Sequence, residues 1–166
     1  VSVAPPAVSG PVGTSLHIQT MPAVSYYQIP HRLTGNFEDF GNGVSAFYDA
    51  IDADGYLPVG PLVLVYPDGI DDPEHADVLL SSEVRDVGDS PSSDRIVHLP
   101  EYLCVALPPF LTDGEIPGHV DALSESLAEA GYRRTGVDRY GLDFGVSEPG
   151  GGPIGVVVGI ESIPPP

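Results

Sequence analysis

Apolar positions along this chain switch between two rhythms, and the switches occur in the same order twice. Short β-rich runs occupy residues 16–21 and 24–29. Pro22 between them lacks a ladder donor, so it ends the first strand. The spacing then changes. From Phe37 to Ala53 the apolar residues Phe40, Val44, Phe47, Tyr48 and Ile51 fall on one stripe of a 3.6-residue helix. Glu38 and Asp39 lie in its first turn, where negative charge suits the helix dipole, and Gly55 supplies a left-handed stop. A strand over residues 62–66, an acidic turn over 67–74 and a strand over 77–84 complete the series. The second series has strands over 95–99 and 102–107 around Pro100, then a helix over 118–130 with Val120, Leu123 and Leu127 on its stripe. Gly131 ends that helix, and strands over 139–145 and 154–160 follow, joined by the loop 147–153.

The two series align residue by residue. HIQTMPAVSYYQIP, from His17, lies without a gap over RIVHLPEYLCVALP, from Arg95, at an offset of 78. Ile18 falls on Ile96, Pro22 on Pro100, Ile29 on Leu107, Pro30 on Pro108 and Thr34 on Thr112. Gly55-Tyr56 falls on Gly131-Tyr132 at an offset of 76. Each copy reads ββαββ, over 16–84 and 94–162, with residues 85–93 as connector and 1–15 as a flexible Pro/Gly-rich arm. A repeated unit that cannot bury its apolar face alone must bury it against its twin. The expectation is an α+β fold in which duplicated units form an antiparallel sheet assembly with pseudo-twofold symmetry. Each unit contributes one main helix, and a ligand cleft lies between the units.

Charge narrows the partners. Twenty-four acids face six basic residues, all arginine, for a net charge of −18. That field repels nucleic-acid phosphate, so this segment is not expected to bind nucleic acid directly. A lysine-poor acidic surface also suits a salt-loving cytoplasm or a GC-rich coding sequence. No apolar run approaches the ~20 residues of a membrane span, and the lone Cys104 in an apolar run reads as core packing in a reducing compartment. The expected location is cytoplasmic. His17, His31, His75, His98 and His119 show no metal-ligand spacing. The Asp52-Ala53-Asp54-Gly55 run lacks the later oxygen ligand of a calcium loop, since residue 63 is valine. No metal or cofactor is expected.

Tyr26-Tyr27 followed by Gly35, Phe37 and Glu38, together with the run LPVGPLVLVYPD from Leu57, is similar to the GyrI-like effector-binding family. So is the pair of strands at 96–100 and 102–107. That family comprises gyrase-inhibitor-like proteins and the drug-sensing domains of some bacterial transcription activators. The resemblance covers about residues 16–162. It implies a pocket between the halves for bulky aromatic compounds, in some members a multidrug site. Some members sense their ligand, some sequester toxins, and some hydrolyse strained cyclopropane-bearing genotoxins. In much of the family a Glu on the strand after the second helix marks the pocket. Here that site falls on Tyr140 or Leu142, and Asp143 points to the other strand face.

The expected ligand-binding residues are Phe37, Glu38, Tyr48, Tyr66, Phe110, Tyr140 and Phe144, flat amphipathic walls with one acid. Phe40, Phe47 and Ile51 are expected on the core side of the first helix. No catalytic residue is assigned; a hydrolase would draw on Glu38, Glu83, Glu101 or Asp143. The leading expectation is a stand-alone protein that senses or sequesters an aromatic or amphipathic small molecule. Alternatives are that hydrolase, or an acidic inhibitor of a topoisomerase. A protein partner, or a DNA-binding domain before Val1, is compatible with the sequence.

Overall fold

The computed structural model describes residues 7–9, 15–86, 94–107, 114–142 and 155–164. The first copy supplies β2 (Ser15–Met21), β3 (Val24–Arg32), α1 (Phe37–Ala53), β4 (Tyr56–Pro58), β5 (Leu62–Tyr66) and β6 (Asp77–Asp86), after a short β1 (Ala7–Ser9). The second supplies β7 (Ile96–Leu99), β8 (Tyr102–Ala106), α2 (Ile116–Glu129), β9 (Tyr132–Leu142) and β10 (Gly155–Ser162). The fold is α+β. Every described ladder is antiparallel, in the order β1-β2-β8-β10-β9-β5-β6-β3-β7, with β4 on β6.

That order is a palindrome of the repeat, because the copies exchange their first strands. β2 of the first copy pairs with β8 of the second, and β7 of the second pairs with β3 of the first. Both ladders keep one register: Ile18 faces Val105, Met21 faces Tyr102, Val24 faces Leu99 and Tyr27 faces Ile96. Residues 15–32 therefore run as one long bent strand against residues 96–106. The bends at Pro22 and Pro100 meet at the middle, where neither proline can donate to a ladder. The second crossing of the pseudo-twofold lies between β5 and β9, where Leu64 faces Tyr140.

Period-two alternation divides the sheet into two faces. Tyr27, Leu64, Leu80, Val105, Val156 and Val158 point to the helix side and join Phe47, Ile51, Val120, Leu123 and Leu127 in one core spanning both copies. Tyr26, Val63, Glu83, Tyr102, Cys104 and Arg139 alternate to the opposite side. Asn36 caps α1, its side chain accepting from the Asp39 N–H at 3.0 Å. At the far end of α1 the Tyr27 hydroxyl donates to Asp54, and Arg95 donates to Tyr27 at 3.0 Å. The helix is thereby pinned to β3 and to the start of the second copy. Gly55 and Gly131 both adopt positive φ, 82° and 88°, as repeat-related helix stops.

Several boundaries differ from the sequence expectation. Residues 7–9, read as part of an arm, pair with β2 as β1. The rest of that arm and residues 87–93 of the connector lie outside the described residues. The second helix starts at Ile116, because Pro117 is tolerated in a first turn that needs no donor there. β9 starts at Tyr132, not Arg139. Its polar first half carries no apolar alternation and is held by pairing with β10, including Arg133 Nε donating to Glu161 at 2.8 Å.

Candidate functional site

On the helix side of the sheet a cavity of about 380 Å³ opens between the start of α1 and the β5–β9 crossing. Leu64, Tyr66, Tyr140 and Leu142 line it from the sheet. Residues 33–37 and Phe40 line it from the chain entering α1, and Pro73 and Glu74 from the β5–β6 loop. The cavity exists because the two ends of α1 are held differently. Phe47 and Ile51 are buried, whereas Phe40 and Val44 on the same stripe are only half-buried. His31 from β3 sits beneath this first half. Its ring centre lies 6.2 Å from that of Phe40 in edge-on geometry, and a Cβ added at Gly43 would fall 2.4 Å from its Cε1. Glycine is the residue that lets the helix ride over that ring.

The far rim is fixed by a buried carboxylate. Asp138 is 0 % exposed; its Oδ2 accepts from the Ile70 N–H at 2.8 Å and from Arg134 at 2.6 Å. These bonds anchor the loop after β5, as does the Tyr66 hydroxyl donating to the Pro73 carbonyl at 2.8 Å. Farther along the loop Asp72 accepts from the Glu74 N–H at 3.1 Å and lies 3.1 Å from His75 Nδ1. The Glu74 N–H, then His75, hold the Asp72 carboxyl below its ordinary range. Tyr66 is thus both wall and brace.

The residues expected from sequence scatter across this geometry. Phe37, Tyr66 and Tyr140 line the cavity, Phe37 standing 87 % exposed at its mouth. Glu38, one residue on, is exposed and is not part of the lining. Tyr48 is also outside it. Its ring packs edge-on against Phe47 at 5.3 Å, and burial pushes its phenol above the ordinary value. Phe110, Phe144 and Asp143 lie outside the described residues. Of the acids a hydrolase would need, Glu83 lies on the opposite face of the sheet and Glu101 is exposed in the two-residue link between β7 and β8. The structure does not bring Glu38, Glu83 and Glu101 together. Phe40, expected on the core side of the helix, packs half-buried against the core and also lines the cavity.

Leu33, Leu64, Leu142, Pro73 and Glu74 were not anticipated as lining. β5 is apolar at all five positions, so alternation could not assign its faces. The repeat itself carried the missing signal. A twofold crossing between antiparallel strands must set one residue against its own repeat-mate. At an offset of 76 that pair is Leu64 and Tyr140.

Among the described residues no helix is long and apolar enough to cross a membrane. No protein-family model and no curated protein sequence matches this chain. Solved structures do. The C-terminal domain of EcmrR superposes with a TM-score of 0.59 at 15 % identity, covering 89 % of this chain and 95 % of that domain. EcmrR in the cryo-EM structure of the EcmrR–DNA complex in EcmrR-RPo superposes with a TM-score of 0.61 at 14 % identity, covering 89 % of this chain and 57 % of that one. This chain therefore spans little more than half of that DNA-bound protein. The likeness is one of fold.

Proposed function

We propose that this protein is a GyrI-like effector-binding module that holds an aromatic or amphipathic small molecule in the cavity at the β5–β9 crossing. The observation that carries this reading is the cavity itself. It is of ligand size, it lies at the pseudo-twofold axis, and Phe37, Phe40, Tyr66 and Tyr140 supply aromatic walls. Glu74 is its one ionised lining group, on an exposed loop, so a deep carboxylate for cations is missing from the described walls. Apolar area and stacking then dominate affinity, and neutral aromatics bind at least as well as cations of the same size. The shared fold with part of a DNA-bound protein favours sensing over sequestration.

Fluorescence titration with a panel of neutral, cationic and anionic aromatic dyes tests the reading. Saturable binding is expected, weakened about tenfold or more when Phe40 and Tyr140 are both replaced by alanine. A panel with no saturable binder, or unchanged affinity in that double variant, would overturn it.

A further inference from the structure

The helix-free face of the sheet carries a second cluster, and there the twofold symmetry breaks. Repeat-related positions hold different chemistry: Val63 against Arg139, Glu83 against Gly159, Val24 against Tyr102 and Tyr26 against Cys104. Tyr26, Tyr102 and Glu83 line a cavity of about 240 Å³, with Met21, Val24 and Val63 among its apolar walls. Arg139 reaches the cluster across β10. It passes over Gly159, where an added Cβ would lie 3.8 Å from Nη1, and its guanidinium carbon sits 4.0 Å from the centre of the Tyr102 ring.

This arginine is incompletely satisfied. Its Nε is buried and makes no hydrogen bond, and among the described residues no carboxylate lies within ion-pair distance of it. By contrast, Arg32, Arg133 and Arg134 each meet an acid. A chain with 24 acids leaves this half-buried cation stacked on and hydrogen-bonded to the Tyr102 phenol. Withdrawing a guanidinium from water without an anion is unfavourable, and a carboxylate is the group whose geometry matches its donor fork. Burial pushes the Tyr26 and Tyr102 phenols up, while the Arg139 charge pulls both back, so its field reaches both aromatic walls.

We propose that this cavity is a second ligand site, selective for a small carboxylate with an apolar body. Arg139 stands outside the lining, against the Tyr102 ring that forms one wall. The carboxylate pairs with it at that Tyr102 edge, and the body lies in the cavity against Val24, Val63 and the two tyrosine rings. Glu83 at the cavity wall disfavours multiply charged anions, which sets inorganic phosphate aside. The site is independent of the cleft under α1, because the two cavities lie on opposite faces of one sheet.

Amide NMR titration of the full chain with phenylacetate, phenylacetamide, phenethylammonium and inorganic phosphate tests the proposal. Saturable shifts around Tyr26, Tyr102 and Arg139 are expected with phenylacetate, with the amide about tenfold weaker or worse and no saturation by the cation or phosphate. Binding of L-phenylalanine as tight as that of phenylacetate would support the site and assign its ligand to amino acids, with Glu83 taking the ammonium. Arg139→Met should lower phenylacetate affinity by about tenfold or more and leave dye binding in the α1 cleft unchanged. If that variant does not fold, Met21→Trp, which fills the cavity and keeps the charge, should abolish phenylacetate binding. The proposal fails if acid and amide bind equally, if the shifts centre on Phe40 and Tyr140, or if no carboxylate saturates at millimolar concentration. A failed dye titration with a successful phenylacetate titration would sink the cleft reading and leave this one standing.

Discussion

The two helices carry the same stripe and use it differently. At the 76-residue offset Phe40, Val44, Phe47 and Ile51 of α1 fall on Ile116, Val120, Leu123 and Leu127 of α2. All four are buried in α2, but only the last two in α1. In α1 the first half rides over His31, so Phe40 borders a cavity instead of filling it. Duplication thus supplied two copies of a packing unit, one of which keeps its core while the other has opened it. The proposed ligand cleft lies where the first copy leaves open the apolar surface that the second copy buries.

The strongest way to break this comparison is to truncate equivalent ends of the two stripes. Leu127 is fully buried, and Leu127→Ala should cost about 2–5 kcal/mol in urea denaturation, the range for an apolar cavity left in a core. Phe40→Ala removes more atoms but from a half-open site. It should cost roughly half as much or less, since less apolar area is withdrawn from water there. Its larger effect should be on dye affinity. Equal destabilisation by the two variants would mean that the cleft is ordinary core.

Much of this difference was hidden in sequence. The repeat, the helix stops at Gly55 and Gly131 and the extent of α1 were legible because glycine and a 3.6-residue period leave local marks. The strand exchange was not, since Pro22 reads the same whether β2 and β3 form a hairpin or one bent strand. Phe40 and Phe47 are equally apolar and on the same stripe. What separates them is His31 beneath Gly43, a contact between β3 and α1 that no local pattern announces. Tyr66 and Tyr140 were legible as aromatics beside the seam, but their partners Leu64 and Leu142 depend on register.

The copies also differ at high pH. At repeat-related positions the second copy has Tyr102 and Cys104, and the first has Val24 and Tyr26. Burial pushes the Tyr102 phenol from 10.0 to about 12 and the Cys104 thiol from 9.0 to about 11, with Arg139 opposing both. The fold prefers the protonated form of each group. Its contribution is fully present below the unfolded value and is lost as pH rises through the folded one. The urea midpoint should therefore begin to fall near pH 9 and continue falling toward 12. Cys104→Ala should remove the lower part of that slope and Tyr102→Phe a share of the upper part, the rest falling to the raised phenols of Tyr26, Tyr27 and Tyr48 in the first copy. A slope untouched by both would place the alkaline sensitivity elsewhere.

Two glycines of α1 sharpen the role of His31. Nothing lies within 4 Å of a Cβ built at Gly41, so Gly41→Ala should stabilise the helix by about 0.5–1 kcal/mol. Gly43→Ala has the same propensity gain but meets the His31 ring at 2.4 Å, and should destabilise by about 1–3 kcal/mol. Adding His31→Ala should restore most of that loss. If the double variant is no better than Gly43→Ala, the helix is not held off the sheet by that ring.

A change in stability of similar size concerns the end of α1 that has no equal in α2. Asn36 caps α1 through the Asp39 N–H, whereas α2 begins without a side-chain cap. Asn36→Ala should cost about 1 kcal/mol globally. Locally the consequence is larger, because Asn36 belongs to the cavity lining and its bond fixes the turn that carries Phe37 and Phe40. Once that turn frays, the aromatic wall must be ordered again on binding, and the ordering free energy is subtracted from affinity. Dye affinity should therefore fall several-fold, with Asn36→Asp, which keeps the acceptor, close to the parent. An alanine variant that loses stability but keeps its affinity would separate the capped turn from the binding wall.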